Sequence, residues 1–248
     1  MAEYPEPISF TKAWHCEPYP FLSPFKPELS MSGKNVVITG GGTGIGNAIA
    51  VAFAKAGAKS VSILGRRLDK LKLGAESITR AVASGGIVQV LFEVADIREA
   101  GQLATALHSI VDKVGNIDIL VSNANSMPPS GPIANIDTDQ FVNGVTDNIR
   151  GALNTFQAFL QVAGPSPIFL NTSSCLANIA PVGGGLGGYS VSKAACLKMM
   201  DCLTVENPNV HITNLHPGWV ATEPNGYQEE APDSGKLFSL VHLLRSNF

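Results

Sequence analysis

Residues 35–46 read Asn-Val-Val-Ile-Thr-Gly-Gly-Gly-Thr-Gly-Ile-Gly, and residues 47–56 continue Asn-Ala-Ile-Ala-Val-Ala-Phe-Ala-Lys-Ala. The β-branched run at 35–39 predicts a buried strand, and the apolar stretch from Ile45 to Ala56 predicts a helix. Between them the chain must turn sharply. Glycines at 40, 41, 42, 44 and 46 permit that turn. They also remove the side chains that would keep a dinucleotide pyrophosphate from the helix N-terminus, where backbone amides and the helix dipole favour an anion. A glycine-rich turn alone is weak evidence. Its place after a strand and before a helix is what gives it meaning.

The rhythm set there repeats along the chain. Further strand-like runs lie at 60–64, 88–94, 117–122, 168–172 and 211–215. Helical patterns lie at 68–83, where Leu68, Leu71, Ala75, Ile78 and Val82 share a face, and at 98–114, 141–163 and 189–206. Strands alternating with helices of this length indicate βαβ units and a parallel sheet. The strands are apolar almost throughout, as expected when both sheet faces are covered.

Composition narrows the class. Of 248 residues 45% are hydrophobic and only 15% charged, against about 25% charged in an average globular chain. That excludes disorder, and the 25 glycines show no three-residue period of the collagen type. A net charge of −3 and a pI near 5.9 argue against a nucleic-acid partner. No apolar run approaches the roughly 18 residues of a membrane span. Residues 1–7, with Glu3, Glu6 and two prolines, resemble neither a secretory signal nor a transit peptide, so a cytoplasmic location is expected. Cys16, Cys175, Cys196 and Cys202 lack CxxC spacing and read as reduced, mostly buried thiols. His211 and His216, five apart, would face opposite sides of a strand, so no metal site is expected. Residues 1–33 hold six prolines and the aromatics Tyr4, Phe10, Trp14, Tyr19, Phe21 and Phe25. Such a segment predicts an extended arm lying on the domain or on a neighbouring subunit, with residues 34–248 as one domain.

Five further features follow in order: Asp96 after the third strand, Asn123-Ala124 after the fourth, Asn148 in Asn-Ile-Arg-Gly, Tyr189-x-x-x-Lys193, and Pro217-Gly218-Trp219-Val220-Ala221-Thr222. Together with Thr39-Gly-x-x-x-Gly-x-Gly46, they make the chain from Lys34 to Thr222 resemble the short-chain dehydrogenase/reductase family. The resemblance implies a Rossmann-type, doubly wound parallel sheet with helices on both faces. It implies oxidoreductase activity, a hydride exchanged between a nicotinamide cofactor and a small carbonyl or secondary alcohol. Gly40, Gly42, Thr43, Gly44, Ile45 and Gly46 would hold the pyrophosphate, Asp96 the adenine, and Asn123 and Ala124 the cofactor's middle. Pro217, Gly218, Val220 and Thr222 would hold the nicotinamide end. Asn125 replaces the glycine of the family's Asn-Ala-Gly. The arm resembles fungal members, some of which serve secondary metabolism, and a homodimer or homotetramer is implied.

Asn148, Ser174, Tyr189 and Lys193 are then the catalytic candidates. Tyrosine, with a reference pKa of about 10, exchanges protons poorly at neutral pH. An ammonium one helical turn away would favour the phenolate and lower that pKa. Ser174 is preferred to Ser173 for the substrate oxygen, although its gap to Tyr189 exceeds the family's usual one. Gly183–Gly185, Gly187 and Gly188 would absorb the difference. Asn148 would hold the helix geometry and a water linking Lys193 to solvent. The second strand ends Leu64-Gly65-Arg66-Arg67, without the acid that binds the ribose of NAD and with two guanidiniums for a 2′-phosphate. Asp69 is too late in the register. NADP(H) is therefore expected over NAD(H), although Thr43 stands where many NADP-preferring relatives carry a basic residue. Two other readings remain open: a non-redox isomerase or cyclase on the same scaffold, and a non-catalytic dinucleotide-binding partner. Only 26 residues follow Thr222. A shortened C-terminal end is thus expected, with a wide pocket and a sheet edge that the N-terminal arm would cover.

Overall fold

The computed structural model describes residues 23–82, 87–179, 184–218 and 220. In chain order they form β1 (Asn35–Thr39), α1 (Gly44–Lys55), β2 (Ser60–Gly65), α2 (Leu68–Val82), β3 (Gln89–Val94), α3 (Ala100–Val114), β4 (Ile117–Ser122), α4 (Thr138–Leu160), β5 (Ala163–Thr172), α5 (Gly187–Glu206) and β6 (His211–Leu215). The strands make one six-stranded sheet in the order β3-β2-β1-β4-β5-β6, parallel at every pairing. The chain builds outward from β1 to β3, then crosses to β4 on the other side of β1. Between β1 and β4 the winding reverses, and there a crevice opens at the carboxyl ends of the strands.

Alternation of side chains sends each strand's apolar residues to both faces. Val36 and Ile38 pack with Ile49 and Phe53 of α1 and Leu71 and Ile78 of α2. Val37, Leu120 and Phe169 pack on the other face with Leu103, Leu107, Phe156, Phe159 and Met200 of α3–α5. Phe156 meets Phe169 edge-on, with centroids 5.1 Å apart. The base of the sheet is tied by buried Asn35. Its side-chain amide donates to Val114 O and Asn116 O, and its side-chain oxygen accepts from Ser60 Oγ.

The structure refines several expectations. The second helix buries Leu71, Gly74 and Ile78, but Leu68, expected on the same face, is exposed at its first turn. The third helix begins at Ala100 rather than Arg98, because Asp96 takes the Arg98 amide and guanidinium. The fourth starts at Thr138, where Asp137 caps it by accepting from Gln140 N–H. It ends at Leu160, and Ala163, expected in that helix, opens β5 instead. Pro165 and Pro167 lie where the β4–β5 register slips between Ile117 and Ile119, a bulge that tolerates missing amide donors. Of the three described cysteines, only Cys196 is buried; Cys175 is half-buried and Cys202 exposed. Within the proline-rich segment, Leu29 and Met31 are buried in the core beside α1. Among the described residues β6 pairs with β5 alone. The expected arm over residues 1–22 and the shortened end beyond Val220 lie outside the described residues.

Among the described residues, the buried Ser62 hydroxyl on β2 has no hydrogen-bond partner. Burying a hydroxyl unsatisfied costs about 1–3 kcal/mol. Ser62→Ala is therefore expected to stabilise by about 1 kcal/mol and to raise the melting temperature by about 2–4 °C. A lower melting temperature in a thermal unfolding scan would contradict this.

Candidate functional site

The glycine loop is shaped first by the protein itself. Gly40 and Gly44 have φ of +68° and +53°, where a Cβ is strained. A Cβ on Gly41 would lie 2.6 Å from Ile63 Cβ, and one on Gly42 3.1 Å from the Lys70 backbone. A Cβ on Gly46 would collide with Gly40 O and Asn123 Nδ2. These contacts require glycine for packing, whatever binds in the crevice. The loop is further pinned by Asn47, whose amide donates to Gly41 O and Gly74 O at 3.1 and 3.2 Å. Thr39 Oγ1 accepts from the amides of Asn123 and Ala124 at 3.0 and 3.1 Å, joining the ends of β1 and β4.

What fits a dinucleotide is the cleft above this turn. Gly40, Gly42, Thr43, Gly44 and Ile45 line it, with Asn123 and Ala124 on the β4 side and Pro217 beyond β6. Gly46 lies beneath, supporting the turn. Thr43 at the N-cap of α1 gives no side-chain hydrogen bond to the first-turn amides. Those donors therefore stand at the cleft with the positive end of the helix dipole behind them. Gly218 turns the chain after β6 with φ +79°. Val220 is half-buried, and Thr222 lies outside the described residues.

The far end of the cleft is cationic. Arg66, Arg67 and Lys70 line it, together with Asp96 and Arg98. Asp96 accepts from Arg98 Nη2 at 2.7 Å, and the Arg66 guanidinium lies 3.9 Å from the same carboxylate. The Arg98 bond holds the Asp96 carboxyl below its ordinary range, against an opposing desolvation. Arg98 also donates to Asp147 Oδ2 at 2.8 Å, and its guanidinium is pushed further toward the charged form. That bridge fastens the turn after β3 to α4 one residue before Asn148. Lys70, Arg98 and Asp147 were not singled out in the sequence. The bond between Arg98 and Asp147 spans 49 residues, so no local spacing marks it.

The reactive end of the cleft is lined by Asn148, Ser173, Tyr189 and Lys193; Ser174 lies just behind this lining, next to Tyr189. The Ser174 hydroxyl lies close enough to that of Tyr189 to favour its phenolate, and Ser174 Oγ accepts from Leu176 N–H at 3.3 Å. Ser173 is buried, with its amide donating to Leu215 O. Lys193 is buried and donates to Thr172 O at 2.7 Å, with Nζ 5.7 Å from the Tyr189 ring centroid. Burial pushes the Lys193 ammonium down to about 8.

One expectation changes here. Tyr189 is pushed up, not down: burial dominates, and the Ser174 hydroxyl only partly offsets it. The ammonium is committed to Thr172 O and lies beside the ring rather than bonded to the hydroxyl. The Asn148 side chain has its bonding sites engaged. Its oxygen accepts from Ser126 N–H and Oγ–H, and its amide donates to Ser126 O and Ser192 Oγ. It works as a brace between the loop after β4 and α5. Among the described residues no group of three or more His, Cys, Asp or Glu could hold a metal ion. No helix among them is long and apolar enough to cross a membrane.

Comparison with known proteins bears on this geometry. A family model described as short chain dehydrogenase matches residues 34–233. The short chain dehydrogenase tazN of Aspergillus terreus is 29% identical over 94% of this chain, which spans half of tazN's length. The short chain dehydrogenase pigC of Monascus ruber is 29% identical over 96% of this chain and 78% of its own. Among solved structures, an alcohol dehydrogenase from the archaeon Thermococcus sibiricus, complexed with 5-hydroxy-NADP, superposes with a TM-score of 0.70. It is 26% identical, over 81% of this chain and 86% of its own.

Proposed function

The chain belongs to the short chain dehydrogenase family, and from that premise we propose that it is an NADP(H)-dependent oxidoreductase interconverting a carbonyl and a secondary alcohol. The observation that carries the reading is the meeting of Tyr189 and Lys193, with Ser174 beside Tyr189, at one end of a cleft whose other end is lined by Arg66, Arg67 and Lys70. Bound NADPH supplies the hydride. Ser174 and Tyr189 hold the carbonyl oxygen between their hydroxyls, and Tyr189 donates its proton as charge develops there. Burial keeps Tyr189 protonated and ready to donate. Lys193 stabilises the resulting phenolate from below the ring, and its remaining N–H donors hold the nicotinamide ribose. Asn148 keeps α4 and α5 in register around this pair. The α1 amides and the glycine turn hold the pyrophosphate, and Asp96 closes the adenine end.

The cofactor preference rests on charge. The chain as a whole is acidic, yet Arg66, Arg67 and Lys70 converge where a 2′-phosphate would lie. Arg66→Ala is expected to raise the KM for NADPH about 10- to 100-fold, the worth of one charge-assisted bond, and to leave NADH nearly unchanged. Equal losses for both cofactors would contradict the assignment. The reading as a whole is tested by NADPH oxidation against a panel of aldehydes and ketones. Cofactor binding without turnover of any of them would overturn it.

A pH dependence follows from Lys193. Its pKa is lowered to about 8, so the ammonium is present below that pH and lost above it. Carbonyl reduction is expected to hold steady up to about pH 8 and to decline above. A rate that climbs through this range would remove Lys193 from the relay. The family reading also implies a homo-oligomer. Exposed Val142 and Leu160 on α4 and Val191 and Val205 on α5 supply apolar surface for it. Sedimentation at a monomer mass would count against it.

A further inference from the structure

We propose that His216 is a positioning residue for Ser174, acting from the end of β6 on the turn that carries the serine. The inference rests on the oxidoreductase reading, in which Ser174 meets the substrate oxygen.

The parallel ladder between β5 and β6 ends at the pair Thr172–Leu215. Beyond it the end of β6 keeps hold of the departing chain in two places. Ser173 N–H donates to Leu215 O at 2.6 Å, and Cys175 N–H donates to His216 Nδ1 at 3.1 Å. Ser174 lies between these anchors. Its backbone is still extended, with φ −149° and ψ 149°, and its hydroxyl is the one that lies next to the Tyr189 hydroxyl. The first anchor is an ordinary backbone rung. The second is not, since Gly218 turns the chain away with φ +79° and Cys175 N–H meets a side chain instead. The imidazole supplies the acceptor that the next backbone carbonyl would have supplied in a continuing strand. An accepting Nδ1 requires the ring neutral with its proton on Nε2.

The consequence is a direct mechanical link between the two walls of the reactive end. Pro217, on the cleft wall, directly follows the histidine, and the residue after Ser174 hangs from the histidine's ring. With the acceptor gone, Cys175 N–H turns to water and β6 holds the serine on one side only, leaving its other side to the local turn bonds of residues 176 and 177. A hydroxyl displaced by a fraction of an ångström serves proton transfer poorly, because catalytic groups must meet the reacting atom at hydrogen-bond distance. His216 itself touches no reacting atom in this scheme.

The test uses three substitutions in the full chain. His216→Leu removes the acceptor. His216→Asn places an amide oxygen at about the same distance along the side chain as Nδ1, and His216→Gln places it one bond farther. His216→Leu is expected to lower kcat for carbonyl reduction about tenfold, with the KM for NADPH and the melting temperature unchanged. His216→Asn is expected to recover most of that loss and His216→Gln little of it. In a Ser174→Ala background, His216→Leu is expected to have no further effect, since it acts through the serine. A His216→Leu protein as active as wild type overturns the inference, as does an Asn variant no better than Leu. Independent multiplicative losses in the double variant also overturn it, because they show an action outside Ser174. A wild-type protein that turns over no carbonyl overturns the oxidoreductase reading itself, a result distinct from any pattern confined to the His216 series.

Discussion

Tyr189→Phe is expected to reduce carbonyl turnover by about 10²–10⁴-fold while leaving NADPH affinity within a few-fold of wild type. The substitution deletes one hydroxyl and keeps the ring that lies over Lys193. It removes the proton donor and the neighbour of the Ser174 hydroxyl together. Binding of the cofactor draws on the opposite end of the cleft, where the glycine turn and the arginines stand, and so is spared. The measurement is steady-state reduction of any carbonyl that the wild type accepts, paired with fluorescence titration of NADPH. A fall of less than about tenfold would mean that another group delivers the proton.

Gly46→Ala is expected to be the most damaging single methyl in the chain. Its Cβ would press into Gly40 O and lie 2.6 Å from Asn123 Nδ2. Neither can yield cheaply. Gly40 is backbone held at positive φ, and Asn123 Nδ2 already donates to Thr39 O at 3.1 Å. Overpacking of this kind typically costs about 1–3 kcal/mol, and here the strain falls on the turn that receives the pyrophosphate. NADPH affinity is expected to fall by at least about 100-fold, as the glycine turn and the first-turn amides of α1 shift together. Gly101→Ala is the control. It meets open space at the start of α3 and is expected to be neutral or to add a few tenths of a kcal/mol through helix propensity. Equal behaviour of the two variants would show that the glycine turn is not held by these contacts.

The central strands were legible because they are buried: β1 and β4 begin and end where their apolar runs do. β5 was not legible at its start. Pro165 and Pro167 look like a loop in the sequence, and only the bulge against β4 explains how the pairing carries them. The site divides the same way. The Tyr189–Lys193 pair announces itself through its spacing of one helical turn. The direction of the Tyr189 shift does not, because it depends on how deeply the fold buries the ring and on where the Lys193 ammonium finds its acceptor. Arg98 between Asp96 and Asp147, and Ser126 around Asn148, are contacts between distant segments. Such contacts follow from topology and leave no periodic trace.

The asymmetry of the cleft gives the account its shape. Cations gather at one end and a buried phenol and amine at the other, with a glycine turn fixed by its own packing between them. A scaffold that only bound a dinucleotide would need the first and the last of these. The phenol and the serine add nothing that such a scaffold would need, and on the proposed reading they serve proton exchange.

Hydride tracing tests the central claim most directly. NADPH deuterated at C4 of the nicotinamide, incubated with the protein and a panel of aldehydes and ketones, is expected to leave deuterium on the carbinol carbon of a product alcohol. The transfer is expected to be lost in Tyr189→Phe. Deuterium that remains in the bound cofactor with every carbonyl offered would contradict the account.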